Sequence, residues 1–138
     1  KDNSGNFKPV ELNSSSELKV TTASSGSETF EVHTSTHSSV SSGASITSSV
    51  ETLTKRNTQV GFIITSSESN PPGQTEVQVS ADNSTFSNLS AGGGFNYQSD
   101  GSGGQIAAIN MEIPFPFVRV QMTAATGSTH NVVIKITH

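Results

Sequence analysis

Apolar and polar residues alternate in several short stretches of this chain. The clearest alternation runs through residues 77–79, 118–122 and 132–136, where every second side chain is aliphatic. A period of two places one set of side chains on a core and the other toward water, which is typical of strands in an antiparallel sheet. The other segments predicted as strands are residues 7–12, 17–23, 28–33, 45–53, 59–66 and 105–113. Helical periodicity is nearly absent.

Turn residues separate these segments. Clusters of Gly, Pro, Ser and Asn occupy residues 24–27, 69–73, 91–94, 99–104 and 126–129. Short strands with such spacing predict an all-β fold, an antiparallel two-sheet β-sandwich of the jelly-roll type. The apolar set Ile106, Ile109, Met111 and Ile113 is less regular, which predicts a bulge or a bend in that strand.

Two segments give weaker signals. Residues 34–49 are mostly Ser and Thr and are interpreted as either a solvated loop or an edge strand. Residues 1–16 are predicted to form an extended N-terminal arm or a first strand, and residues 17–138 a single sandwich domain. The apolar side chains available to the arm are Phe7, Val10 and Leu12, so it is expected to dock on its own sandwich or on a neighbouring subunit.

Composition narrows the class of function. The 138 residues suit one domain, with 30% hydrophobic and only 13% charged residues, so most polar positions are neutral. The net charge of −4 argues against partners such as nucleic acid or an anionic membrane. The chain has no cysteine, which excludes disulfides and thiolate metal sites. Its longest apolar run, residues 60–64, is far shorter than a membrane span.

Residues that could carry chemistry are present without a recognised motif. The histidines His33 and His37 are four apart, a spacing that would align them on a helix but not on a strand. Together with His130 and His138 they are expected to be scattered surface residues, so no metal or other cofactor is predicted. The acids Glu68, Glu76, Asp82 and Asp100 show no calcium-loop spacing, and residues 82–84 and 100–102 are interpreted as turns held by Asp side chains.

Signals for catalysis are equally weak. The chain has no G-x-S-x-G sequence around a serine nucleophile, and no Lys-Ser or Lys-Thr follows its glycine-rich segments. We therefore expect a protein that is not an enzyme.

Two parts of the sequence resemble structural proteins of tailed phages. The opening, KDNSGNFKPV at residues 1–10 followed by ELKV at 17–20, is similar to the start of small phage structural proteins. Later, VQVSADNSTFSNL at 77–89 and PFPFVRVQMTAATG at 114–127 resemble jelly-roll decoration (cement) and fibre domains. In this interpretation Phe86 and Phe117 belong to the core, and Arg119 faces outward, within reach of Asp82 or Tyr97.

The same stretches are more weakly similar to discoidin-type sandwiches. That resemblance implies sugar or lipid binding by loops at one end of the fold. The corresponding loop here carries the residues Phe95, Asn96, Tyr97 and Asp100.

The function expected from these observations is non-catalytic decoration or cementing of a tailed-phage capsid. The expected partners are the major capsid protein or other virion proteins. The chain itself is expected to form a homo-oligomer, with a trimer favoured. The expected location is the virion surface or otherwise outside the cell. The predicted docking residues are Phe7, Val10 and Leu12 of the arm, then Pro114, Phe115 and Pro116. The alternatives are a receptor- or glycan-binding module of a tail fibre or cell-surface adhesin, and an accessory domain of a secreted hydrolase.

Overall fold

The computed structural model describes residues 29–89 and 94–138, and the backbone of residues 12–13 and 16–17. All of its regular elements are strands. They are β1 (Leu12–Asn13), β2 (Ser16–Glu17), β3 (Val32–Val40), β4 (Ser45–Thr47), β5 (Glu51–Thr52), β6 (Thr58–Ser66), β7 (Thr75–Ser80), β8 (Ser87–Asn88), β9 (Gln98–Ser99), β10 (Gln105–Ile113), β11 (Phe117–Thr123) and β12 (His130–Thr137). The described part of the chain contains no helix with the length and apolar character needed to traverse a lipid bilayer.

The strands form two antiparallel five-stranded sheets and one short hairpin. The first sheet has the order β3-β12-β6-β10-β9, and the second has the order β4-β11-β7-β8 with β5 also paired to β11. Counted from β3, with β4 and β5 as one strand and β9 left aside, the first sheet holds strands 1, 8, 3 and 6. The second holds strands 2, 7, 4 and 5, which is the jelly-roll arrangement of two interleaved Greek keys. The predicted fold class is confirmed.

The core lies between the two sheets and follows the alternation in the sequence. One continuous cluster contains Val60, Phe62 and Ile64 of β6, Val118, Val120 and Met122 of β11, and Val132, Ile134 and Ile136 of β12. The regular pairing of β10 with β6 continues from Gln105 to Ile113 without a shift, so the predicted bulge there is wrong. The irregular apolar spacing arises because Ile106 lies on the outer side of the strand, where it is 37% exposed.

The Ser- and Thr-rich segment forms a long strand. Residues Val32–Val40 make up β3, at the edge of the first sheet, so the edge-strand interpretation is correct for residues 34–40. Residues 41–44 form a turn, and the segment then continues into β4. On β3 the side chains of His33, Ser35 and His37 lie opposite Ile136, Ile134 and Val132 of β12 and share their core-facing side. A register shift follows near Ser39, which has a φ of 55°.

Polar contacts close the sandwich along this edge. The Ser35 hydroxyl accepts a hydrogen bond from the backbone N–H of Ser49 at 2.9 Å. Farther along the same edge, His33 Nδ1 lies 3.0 Å from Glu51 Oε2 on β5. The edge strand therefore contacts the second sheet through hydroxyls, an imidazole and a carboxylate instead of aliphatic side chains.

Candidate functional site at one end of the sandwich

Three segments meet at one end of the sandwich, which we call the loop end: residues 29–31, 53–58 and 114–116. The register explains why they meet. Val32 pairs with Thr137, Thr58 pairs with Ile113, and Thr52 pairs with Phe117, so the ends of these strands lie together. The backbone N–H of Leu53 also donates a hydrogen bond to the Pro116 carbonyl at 2.7 Å.

The connection between β10 and β11 presents an aromatic side chain at the loop end. Phe115 lies between Pro114 and Pro116, all three are exposed, and Phe115 retains 38% of its accessible surface. Proline has no N–H for the ladder, so this segment leaves the sheet and the phenylalanine is not drawn into the core. The predicted docking residues of this loop therefore lie on the surface.

Cations flank this loop. A shallow cavity of about 260 Å³ separates it from residues 53–56 and includes Lys55 and Arg56 in its lining. Both cationic residues are exposed. The chain carries only 7 Lys and Arg residues against 11 Asp and Glu, so two adjacent cations are a local concentration of positive charge, and Glu31 lies at the same end.

A second aromatic side chain, that of Phe30, lies at the loop end. Phe30 is 80% exposed, and its neighbours Thr29 and Glu31 line a cavity of about 290 Å³. Thr54 and Lys55 line this cavity and also the cavity beside Phe115. The loop end thus combines two exposed aromatic rings with two exposed cations.

The other predicted docking residues belong to the arm. Phe7 and Val10 lie outside the described residues. Leu12 lies in β1, whose backbone pairs with Glu17 of β2 in a short antiparallel hairpin. Docking through the arm stays a prediction.

The predicted ligand loop is arranged differently from the expectation. Phe95 packs against the core and meets the ring of Phe62 edge-on at 6.4 Å between centroids. Tyr97 also packs against the core, and its hydroxyl lies 2.9 Å from the hydroxyl of Thr75. Burial raises the pKa of Tyr97 to about 12. The two aromatic side chains support the core and do not form an open platform for stacking a sugar.

Of the two polar residues of that loop, Asp100 holds a turn. Asn96 is exposed, whereas the Asp100 carboxylate accepts hydrogen bonds from the N–H groups of Ser102 and Gly104 at 2.7 and 2.9 Å, which lower its pKa. Similarly, the backbone amides of Thr85 and Ser84 hold the pKa of Asp82 well below its usual range. The sequence interpretation of both segments as Asp-held turns is confirmed.

Glu68 also serves a loop. It accepts hydrogen bonds from the N–H and hydroxyl of Ser128, at 2.8 and 2.9 Å, and from the N–H of Ser69 at 2.9 Å. These bonds lower the pKa of Glu68 to about 2. The carboxylate ties the β6–β7 connection to the β11–β12 connection, so its low pKa has a structural cause.

The outer face of the second sheet carries a network of polar side chains. Gln78 donates to Asn88 at 3.0 Å and to Gln121 at 2.8 Å, and it accepts from Arg119 at 2.8 Å. The guanidinium of Arg119 lies 3.9 Å from the centre of the Phe86 ring. Arg119 therefore contacts Phe86 and Gln78 instead of the expected Asp82 or Tyr97.

Phe86 is only half-buried and packs on this outer face. The expectation that it fills the core is wrong, and half-buried Phe117 also lies on the outer side of β11, opposite to Val118. Beside the network is an open groove of about 240 Å³ lined by Ser45, Gln74, Glu76, Asn88, Gln121, Met122 and Thr123.

Two of the four histidines are not scattered as the sequence predicted. His33 and His138 lie with parallel rings at 5.4 Å between centroids, and Glu31 joins them with a ligand atom from each residue within 4.8 Å of the others. Backbone hydrogen bonds between Glu31 and His138, at 2.8 and 3.1 Å, hold the two segments together. Sequence reasoning missed this cluster because it depends on the pairing of β3 with β12, two strands separated by most of the chain.

Glu51 lies behind this cluster, and its side chain is only 9% exposed. Burial raises the pKa of Glu51, and the nearby imidazoles of His33 and His138 oppose that rise. The carboxylate is in contact with His33, so it orients this ring.

We compared the chain with known proteins. No family model matches the chain, and no curated protein or solved structure is significantly similar to it.

Proposed function

We propose that this protein is a non-catalytic adhesive module of a virion, decorating or cementing the capsid of a tailed phage through its loop end. The observation that carries the proposal is the side chain of Phe115, 38% exposed between two prolines on a rigid β-sandwich. An aromatic ring that projects from a fixed frame loses little conformational entropy when it fills a pocket on a partner.

Charge defines the partner surface more closely. Lys55 and Arg56 border the cavity beside Phe115. The partner in this proposal is a protein surface with an apolar pocket and acidic groups around it, such as a repeated site on the major capsid protein. Charges at the rim mainly raise the association rate, whereas the buried aromatic ring slows dissociation.

Three of the loop acids also support a non-catalytic role, whereas buried Glu51, whose pKa is raised, is paired with His33. The low pKa values of Glu68, Asp82 and Asp100 are each explained by hydrogen bonds from loop amides. A carboxylate that acts as a general base or acid is usually tuned toward neutral pH. These three are shifted in the opposite direction and hold turns.

Repeated sites on the capsid would allow stable binding even if the affinity of each single contact is modest. A capsid lattice presents many identical positions, and an oligomer engages several of them at once. A homo-oligomer, with a trimer favoured, is therefore part of the proposal, and the expected location is the virion surface or otherwise the extracellular space.

The test is co-sedimentation of the purified protein with capsids that lack it, scored as copies bound per particle. We expect saturable binding at a stoichiometry that matches the lattice symmetry, and Phe115→Asp should weaken it at least tenfold. Ile106→Asp is the matched control, because Ile106 is equally exposed at 37% but lies at the far end of β10. Thermal melts would check that both variants fold.

The charge component has its own test. Reversing both cations, Lys55→Glu with Arg56→Glu, should slow association and remove most of its salt dependence. Lys135→Glu is the control, since Lys135 is exposed on the outer face of β12 and lines neither cavity of the loop end. Normal occupancy by Phe115→Asp and by the double reversal would refute docking through the loop end.

A second candidate function is receptor or glycan binding by a tail-fibre or adhesin module. The groove beside Gln78 and Gln121 favours it, because amides and carboxylates on one sheet face offer paired donors and acceptors to sugar hydroxyls. A glycan array should then give hits that Gln121→Ala abolishes and Tyr97→Phe retains. An array without hits, or hits unchanged in Gln121→Ala, would exclude this groove as a glycan site.

A further inference from the structure

The cluster of Glu31, His33 and His138 has the composition of a metal site. We propose that it binds one Zn²⁺ ion, or a divalent transition-metal ion of similar chemistry, through two imidazole nitrogens and one carboxylate oxygen. Two histidines and one glutamate are a ligand set that zinc accepts, with a water in the fourth position. Imidazole ligands favour zinc and its neighbours over calcium and magnesium, which prefer oxygen.

The distances fit such an ion. Donor atoms that share a tetrahedral zinc at about 2.0–2.1 Å lie about 3.3 Å apart. His33 Nε2 and Glu31 Oε1 are 3.4 Å apart. The three ligand atoms of the cluster lie within 4.8 Å of one another. The two imidazole rings are stacked with parallel planes, so one of them must rotate about its side-chain torsions to direct both lone pairs at one ion.

Glu51 prepares His33 for this role. Its Oε2 lies 3.0 Å from His33 Nδ1, on the opposite side of the ring from Glu31. A carboxylate that accepts the Nδ1–H fixes the tautomer in which Nε2 carries the free lone pair. Histidine ligands commonly donate their second ring nitrogen to a carboxylate in this way, which raises the basicity of the ligating nitrogen.

His138 gives an independent indication. Its Nε2 is buried and has no hydrogen-bond partner among the residues that the structure describes. A buried polar atom without a partner is costly, and an ion bound through this nitrogen would satisfy it. The Nε2 atoms of His37 and His130 are also buried without a partner, but among the residues described neither histidine belongs to a group of three ligands.

An ion can reach the cluster from solvent. The side chains of Glu31 and His33 are 67% and 41% exposed. Glu31 and His138 also line the cavity of about 290 Å³ at the loop end, which leaves room for a water as the fourth ligand. Lys55 also lines this cavity, so the cavity contains a cationic side chain besides the two ligand residues.

A bound ion would cross-link two strands. Glu31 precedes β3 and His138 follows β12, so an ion would join the two neighbouring strands where their pairing ends. This role does not depend on the docking proposal, because it requires only the described geometry of the cluster.

The experiment uses the full chain without a polyhistidine tag, treated with chelator and titrated with ZnCl₂ in a calorimeter. We expect saturable 1:1 binding. His33→Ala and His138→Ala should each weaken it by about 100-fold or abolish it, and Glu51→Gln by about 10- to 100-fold. His37→Ala is the matched control and should bind as the native chain does, since it removes a histidine from the same strand outside the cluster.

Cobalt provides a second readout. Co²⁺ in place of Zn²⁺ should give visible absorption bands of a four- or five-coordinate nitrogen and oxygen site, and these bands should be lost in Glu31→Gln, a change of an exposed side chain that preserves the fold. Absence of binding by the native chain at millimolar zinc would overturn the proposal. So would affinity that stays unchanged in His33→Ala or His138→Ala.

Discussion

Ser48 bridges the gap between β4 and β5, and its removal should cost more than the loss of an ordinary hydroxyl. Its backbone N–H donates to the Val120 carbonyl at 2.9 Å, while its side-chain oxygen accepts from the Val120 N–H at 2.9 Å. The hydroxyl also donates to the Ser49 carbonyl at 2.9 Å. A side chain thus supplies the acceptor that a continuous strand would supply from its backbone.

The substitution Ser48→Ala leaves the N–H of Val120 without an acceptor, at a residue that is 0% exposed. An unsatisfied buried donor costs about 1–3 kcal/mol. With a loss of about 2 kcal/mol and a urea m-value of about 2 kcal/mol/M, the unfolding midpoint should fall by about 1 M. The amide of Val120 should also exchange its hydrogen faster.

Urea unfolding followed by circular dichroism measures this loss, and Ser38→Ala is the matched control. Ser38 is exposed on β3, so its replacement should change the free energy of unfolding by no more than about 0.5 kcal/mol. If Ser48→Ala also lost less than about 0.5 kcal/mol, the Val120 amide would have found another partner and the reasoning would be wrong.

Two further predictions concern titration. The folded pKa of Glu68 is lowered from 4.5 to about 2, so the stability that its carboxylate adds to the fold is complete above pH 4.5 and is lost as the pH falls toward 2. Glu68→Gln should flatten the pH dependence of the unfolding free energy in this window. An unchanged profile would contradict the assigned hydrogen bonds to Ser128. Tyr97 is the single tyrosine of the chain, so absorbance should report its titration directly, with a midpoint near 12 instead of 10. Because the folded pKa is raised, its stabilisation is present below pH 10 and is lost as the pH rises toward 12, and a midpoint near 10 would show that its ring is not packed against the core.

Much of the fold was predictable because the core strands alternate strictly. β6, β11 and β12 place an aliphatic or aromatic residue at nearly every inward position, and their predicted ranges agree with the structure. β3 was only an alternative, because its inward positions are His33, Ser35 and His37. A polar residue facing the core at a sheet edge looks the same in sequence as a polar residue in a loop.

The candidate sites were less predictable, because they depend on which segments the fold brings together. Phe115 was identified because its flanking prolines are a local signal. The histidine cluster had no such signal, since His33 and His138 are brought together by strand pairing. Phe95 and Tyr97 were interpreted as ligand residues because they lie in a glycine-rich loop, but both side chains pack against the core between the edge strands β8 and β9.

The position of β3 beside β12 determines how the module would respond to force. The two strands are antiparallel, and Val32 pairs with Thr137 at the point where the chain enters β3 and leaves β12. A pull applied at residues 31 and 138 would load this pair like a zipper, so its hydrogen bonds would break one after another instead of sharing the tension. The contacts among Glu31, His33 and His138 lie at the first bonds of that zipper, so they would be the first to bear the load.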